Sequence, residues 1–259
     1  MANKVIFTGV DSQIGQYFSS DVNSTSWDLF DSTSWTKLLD SEVVFLIFPK
    51  HQHTLHHAKQ FVLKAMDSNI KQIIKIGSLG PWRLIHNQID VFLSESGINY
   101  TTFDIAPLMN NIFTEQYDSI KHTLIDYRGN APAPYTDPQC LAQAIELSVN
   151  NPICFNRSYR CTGKMQYTIE DVKQTLITQG YPVQEIVTTT NARLHGNDPT
   201  LTEDYQLMDH MATKYVSEGW YPLISTDLES FGLQSRTLDQ FIAQDQHIFT
   251  RKFANDSAL

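Results

Sequence analysis

The alternation of apolar and polar positions switches repeatedly between two periods. Residues 5–9 (VIFTG), 42–49 (EVVFLIFP), 71–78 (KQIIKIGS) and 98–107 (INYTTFDIAP) are short, nearly continuous apolar runs bounded by turn residues. That is the pattern of strands buried on both faces. Between them, residues 34–40, 54–68 and 82–95 repeat apolar side chains at helical spacing, and Asp31 or Ser32 is placed to cap the first helix. Strands alternating with helices predict an α/β fold whose parallel sheet is covered on both faces. Past Pro107 the pattern loosens into a loop-rich stretch with Pro132, Pro134 and Pro138. Helices are then expected over 137–151, 168–180, 201–220 and 238–249, with strands near 153–163 and over 182–190.

The opening, KVIFTGVDSQIGQYF (4–18), runs a strand into a glycine turn, as a dinucleotide-binding domain begins. In such a turn the glycines allow a tight bend, a close approach to pyrophosphate, and packing of helix on strand. Gly9 and Gly15 keep the first and last of these roles, and Ser12 stands in the middle place. The next unit is too short. A βαβ unit needs about 30 residues or more, and only 31 − 15 = 16 positions separate Gly15 from Asp31. The intervening QYFSSDVNSTSW reads as a truncated helix and a polar loop without a second strand. No Arg or Lys lies between Lys4 and Lys37 to grip a 2′-phosphate, and Asp21 or Asp28 would have to take the ribose role for NAD.

Several segments in order resemble the NmrA-like branch of the atypical short-chain dehydrogenase/reductases. Thr8-Gly9 and Gly15 match part of its opening turn, and FDSTSWTKLLDSEVVFLIFP its Asp-led helix and strand. IIKIGSLG resembles its strand ending in a serine turn. His86, Asp90, Ser96-Gly97-Ile98 and Tyr100-Thr101 follow its spacing, as do Met109, Asn111 and the Asp137-led helix. The likeness covers most of residues 1–165 and fades beyond. It implies a Rossmann-type core over 1–135, shortened in its first βαβ unit. Residues 136–259 then supply the last core helix and a small substrate lobe, continuous with the core. It also implies action on a small organic molecule, often in secondary metabolism. The family commonly carries an Arg after the Tyr-Thr strand, and this chain has Asp104 there.

Because the adenosine half of the site reads as deleted, the expectation is a fold used without a cofactor for isomerisation, cyclisation, dehydration or rearrangement. The alternatives are an NAD(P)H-dependent reductase with an atypical turn, Gly9, Ser12 and Gly15 then touching the cofactor, and a non-catalytic sensor or regulator. For acid–base work His86 and Asp90 stand at i and i+4 on one helix face, with Ser78 at a strand end and Asp104 at the sheet edge. The same His–Asp spacing also describes an exposed helical pair worth about 0.2–0.5 kcal/mol. Tyr117 and Lys121 have the Tyr-x-x-x-Lys spacing of ordinary dehydrogenases, but one strand too late. The segment KHQHTLHH (50–57) puts His51, His53 and His57 near the sheet's carboxyl edge as pocket walls; without a HExxH pattern or a second ligand cluster no metal is expected. Trp82, Met109, Asn111, Tyr117, Tyr135, Trp220 and Tyr221 are further candidate pocket walls.

Composition narrows the partners. With 259 residues, 41% of them hydrophobic, the chain has material for one large core or a core plus a small lobe. A formal net charge of −9 disfavours nucleic acid. The longest apolar run, VVFLIF, is too short to span a bilayer. Three cysteines in no CxxC spacing read as reduced thiols of a cytoplasmic protein. The expected partners are a small organic substrate and, at most, a second copy of the chain.

Overall fold

The structure is a computed structural model that describes residues 5–8, 12–19, 22–49, 51–80, 83–188, 214 and 224–245. Along the chain run β1 (Val5–Phe7), α1 (Thr36–Leu39), β2 (Val43–Leu46), α2 (Thr54–Met66), β3 (Gln72–Ser78), α3 (Arg83–Ser96) and β4 (Asn99–Ile105). Then come β5 (Tyr117–Asp118), β6 (Thr123–Asp126), β7 (Ala133–Pro134), α4 (Pro138–Ser148), β8 (Arg157–Cys161), β9 (Gln166–Tyr167), α5 (Ile169–Thr178) and β10 (Glu185–Thr188). A last helix, α6, covers 238–245. The main sheet is five-stranded in the order β1-β2-β3-β4-β8, parallel throughout. It is an α/β fold with a parallel sheet, as the periodicity predicted, and of the Rossmann type that the resemblance implied.

Both faces of the sheet are covered. Ile6, Val44, Leu46 and Ile73 pack with Leu38 of α1, Phe61 and Val62 of α2, and Ile85 and Ile89 of α3. Phe7, Phe45, Ile74, Phe103 and Cys161 face Leu141 and Ile145 of α4. Local chemistry sets the helix starts. The Asp31 carboxylate accepts from the Thr33 N–H and opens the 3-10 turn Ser32–Trp35 ahead of α1. Asp137 caps α4, with Pro138 in the first turn. Thr168 and Asp171 form a reciprocal capping box on α5.

The first βαβ unit is short. Among the described residues between β1 and Ser24 there is one 3-10 turn, Gly15–Tyr17. The second strand survives as one rung: Ser24 bridges Phe7 in parallel. The Phe7 N–H donates to the Asn23 carbonyl at 2.8 Å, and the Thr25 N–H donates to the Phe7 carbonyl at 3.1 Å. Residues 19–26 (SSDVNSTS) offer almost no apolar face, so a longer strand there would have nothing to bury. The third core cluster lies outside the main sheet, where Met109, Ile112, Phe113, Tyr117 and Tyr135 pack with α5 and with Leu238, Phe241 and Ile242 of α6.

Candidate functional site at the carboxyl edge of the sheet

Open α/β sheets bind ligands beyond the carboxyl ends of their strands, where the strand order reverses. Here that point lies between β1 and β2, because the chain leaves β1 toward Ser24 on one side and returns as β2 on the other. The Thr8 N–H and hydroxyl both donate to the Phe45 carbonyl, at 3.0 and 2.9 Å, locking the end of β1 to β2. In the following turn the Gly15 N–H donates to the Ser12 carbonyl at 3.0 Å. The segment after β4 closes against this turn. The Asn110 side-chain N–H donates to the Gln13 carbonyl at 3.1 Å, and the Gln13 amide donates to Thr114 Oγ1 at 2.9 Å. Three polar atoms gathered here, Ser12 Oγ, Gln13 Oε1 and Asn110 Oδ1, are buried with no hydrogen-bond partner among the described residues. A buried unpaired polar group carries a desolvation cost of about 1–3 kcal/mol, so these three atoms beside one turn make it a candidate ligand contact. Gly9 and Asp21 lie outside the described residues.

The ends of β3 and β4 form the second part of the edge. Ser78 Oγ accepts from the Gly80 N–H at 3.0 Å and shapes the turn after β3. Gly77 and Asp104 are cross-strand neighbours, and Asp104 Oδ1 lies where a β-carbon on residue 77 would stand. That oxygen is buried without a partner among the described residues. Burial pushes the Asp104 carboxyl up to about 6, against the pull of the nearby Lys75 cation. Lys75 is fully buried, and its Nζ pairs with Asp90 Oδ1 at 2.9 Å. The Thr102 hydroxyl donates to the same carboxylate oxygen at 2.7 Å. Asp90 is thus engaged beneath α3 by a strand lysine and a strand hydroxyl. His86, one turn earlier on α3 and nearer the carboxyl edge, is buried.

The histidine-rich segment sits past the end of β2. His51 and His57 meet the exposed Phe30 ring at centroid distances of 4.6 and 5.2 Å, and His53 lies 5.2 Å from His51. No group of three or more His, Cys, Asp or Glu side chains among the described residues is arranged to hold a metal ion.

The candidate pocket walls divide. Met109, Tyr117 and Tyr135 are buried within the third core cluster. The Tyr117 hydroxyl donates to the Pro182 carbonyl at 2.9 Å, and Lys121 sits on the surface 3.6 Å from Asp118, so both members of the Tyr-x-x-x-Lys spacing are engaged elsewhere. The Tyr135 hydroxyl donates to Gln116 Oε1 at 2.9 Å and accepts from the buried Arg128 at 3.0 Å. Asn111 pairs with Glu115 at 2.9 Å on the surface; the asparagine that reaches the opening turn is its neighbour Asn110. Lys50, Trp82, Trp220, Tyr221 and most of the helix expected over 201–220 lie outside the described residues. Sequence reasoning also passed over Gln13 and Lys75. Lys75 carried a signal: a lone charge inside the apolar run QIIKIGS needs a buried partner.

No protein-family model and no curated protein matches the sequence. Solved structures do share the fold. One is a nucleoside-diphosphate-sugar epimerase from Staphylococcus aureus, with a TM-score of 0.73 at 18% identity over 93% of this chain and 99% of that one. Another is an NADPH-dependent quinone oxidoreductase from Escherichia coli complexed with NADPH, with a TM-score of 0.71 at 17% identity over 95% and 99%. A third is NmrA, a negative transcriptional regulator, with a TM-score of 0.71 at 10% identity over 98% of each chain. The chain therefore shares the Rossmann-type fold of these structures, NmrA among them. The expectation of a cofactor-free site is corrected by these neighbours, since a structure of this fold carries bound NADPH. Of the unpaired atoms at the opening turn, the Ser12 hydroxyl could donate to a pyrophosphate, while the Gln13 and Asn110 amide oxygens could accept only from donors such as ribose hydroxyls. Among the described residues, the second strand that carries the adenosine anchor in such sites is a single bridge at Ser24. Among the described residues no helix is long and apolar enough to cross a membrane.

Proposed function

Starting from the NmrA-like reductase fold, we propose that this protein binds NAD(P)H across the carboxyl edge of its sheet and reduces a small organic molecule. The observation that carries this reading is the group of unpaired polar atoms at the point where strand order reverses: Ser12 Oγ, able to donate to a phosphate, and the acceptors Gln13 Oε1 and Asn110 Oδ1, suited to ribose hydroxyls. NAD(P)H supplies a hydride when bound. The chain's own residues bind, orient and move the proton. Thr8 and Asn110 hold the turn in place through Phe45 and Gln13. Asp104, at the end of β4 with one oxygen unpaired and its carboxyl raised to about 6, is the proton-exchanging group of this edge. Lys75 sets the electrostatic balance around it. His86, buried on the same side, is a second candidate for proton transfer.

The test is calorimetric titration of the protein with NADPH, NADH and their oxidised forms, followed by NADPH oxidation assays with quinone and dye acceptors. Micromolar binding with turnover is the expected result. Silence from all four dinucleotides would overturn the proposal. Tight binding with no oxidation by any acceptor would move the reading to a dinucleotide-responsive regulator, the role named for NmrA.

A further inference from the structure

Four imidazoles and one phenyl ring crowd a single patch of the carboxyl edge. His51, Phe30 and His57 are in ring contact, His51 meets His53, and His56 lies 5.2 Å from His57. The patch is accessible, with Phe30 38% exposed. Its place in the fold is specific. Phe30 belongs to the segment leaving the single rung at Ser24, which flanks β1, and the histidines follow β2 on the other side of the strand-order reversal. The cluster therefore joins the segment that follows the Ser24 rung to the loop that follows β2, on the two sides of the strand-order reversal. In dinucleotide sites, the end of the strand that is here a single rung recognises the adenosine ribose or its 2′-phosphate.

We infer that Phe30 with His51, His53, His56 and His57 replaces the lost strand as a grip for an adenosine phosphate, the rings stacking on the base and the imidazoles pairing with phosphate oxygens. The chemistry suits both halves of that ligand. A purine stacks on aromatic and imidazole faces with little demand on geometry. Phosphate needs positive charge, and no Lys or Arg occurs between Lys4 and Lys37 to supply it. Histidine supplies charge only as pH falls toward the lower physiological range. Among the described residues, Asp28 acts on His57; Lys50 lies outside them. Burial and then the neighbouring imidazoles hold His57 below the ordinary histidine range, and a bound phosphate would relieve that like-charge repulsion. His51 Nδ1 accepts from the His53 N–H at 3.1 Å, which leaves Nε2 of His51 to carry a proton as a neutral donor.

This inference rests on the dinucleotide reading above, and its probes separate the two. The protein is titrated calorimetrically with 2′,5′-ADP and with 5′-ADP near pH 8 and near pH 6. At least one probe is expected to bind more tightly at the lower pH, by about fivefold or more, because imidazole gains its charge over that interval. In a variant carrying His51→Gln, His53→Gln, His56→Gln and His57→Gln the gain should vanish; the phosphate's own titration is unchanged there, so the comparison isolates the imidazoles. Phe30→Ala should weaken binding at both pH values without changing the gain. A larger gain for 2′,5′-ADP places the 2′-phosphate on the histidines, and equal gains place the 5′-phosphates there. No binding of either probe, binding independent of pH, or a gain that survives in the folded quadruple variant would overturn the inference. NADPH binding with no pH gain for the ADP probes would leave the proposed function standing and remove this one. Probe binding with the expected gain but no NAD(P)H binding would do the reverse.

Discussion

Gly77 and Asp104 explain each other. The Asp104 carboxylate occupies the space that any side chain at residue 77 would need, and the Thr102 methyl group lies 3.0 Å from the same position. Gly77→Ala is therefore expected to destabilise the fold by about 1–3 kcal/mol, the usual cost of overpacking. Asp104→Ala in the same chain should recover most of the loss, read by urea denaturation. Asp104 also makes stability depend on pH. Its folded value, about 6, is raised above its unfolded value of 3.8. Its contribution is thus fully present below pH ~4 and is lost as pH rises through about 6, with a total near 3 kcal/mol. Asp104→Asn cannot ionise and should be about 1–3 kcal/mol more stable than the parent at pH 8, the difference closing toward pH 4. Denaturation midpoints measured at both pH values check this, and an equal difference at both would sink it.

At the scale of elements, the central fact is that α3 is attached to the sheet by charge as well as by packing. Ile85, Ile89 and Leu93 bury its apolar face, while Asp90 reaches Lys75 of β3 and Thr102 of β4. The spacing of His86 and Asp90 was legible in sequence; the actual partner of Asp90 was not, because a cross-strand lysine cannot be located without the sheet's register. Burial lowers the Lys75 ammonium from its ordinary value and Asp90 offsets part of that shift. Asp90→Asn would leave a buried cation without its counter-charge and should cost about 3–5 kcal/mol. Lys75→Met combined with Asp90→Asn should restore most of it. A double variant as unstable as Asp90→Asn alone would show that the pair is not what holds α3 to the sheet.

Across the whole molecule, the shortened first unit is supported from the far end of the chain. The Tyr17 hydroxyl, in the 3-10 turn that replaces the first helix, donates to Asp245 of α6 at 2.8 Å. Arg236 bridges that carboxylate at 3.2 Å to Asp137, the cap of α4, which it grips through two donors at 2.9 and 2.6 Å. The Ser19 N–H donates to Glu146 of α4 at 2.6 Å. The opening turn, the last core helix and the C-terminal helix thus share one polar network. Arg236→Ala leaves two largely buried carboxylates facing each other and is expected to lower stability by about 3 kcal/mol or more. It should also weaken dinucleotide binding, because the turn loses its brace. Thermal melting and calorimetry on the same samples read both effects.

The strands, helices and capping residues of the main sheet were written in local patterns. Buried strands read as continuous apolar runs, α2 through α5 as helical spacing, and Asp31, Asp137 and Thr168 as starts, because each depends on residues within one or two turns of chain. The shortness of the first βαβ unit was legible for the same reason, since length and polarity are local properties, but the cofactor-free site expected from it is corrected by the NADPH-bound neighbour. Tertiary structure alone decided the rest. Thr123–Asp126 pairs in parallel with Glu185–Thr188 from across about sixty residues of chain. Ser24 keeps one rung of a strand whose sequence shows none. Gln13 and Asn110 meet only when two strand ends are brought together, and Lys75 finds Asp90 only once a helix crosses its strand. Each of these contacts depends on register between distant segments, which no periodicity along the chain records, and that is why the candidate site came mostly from the fold.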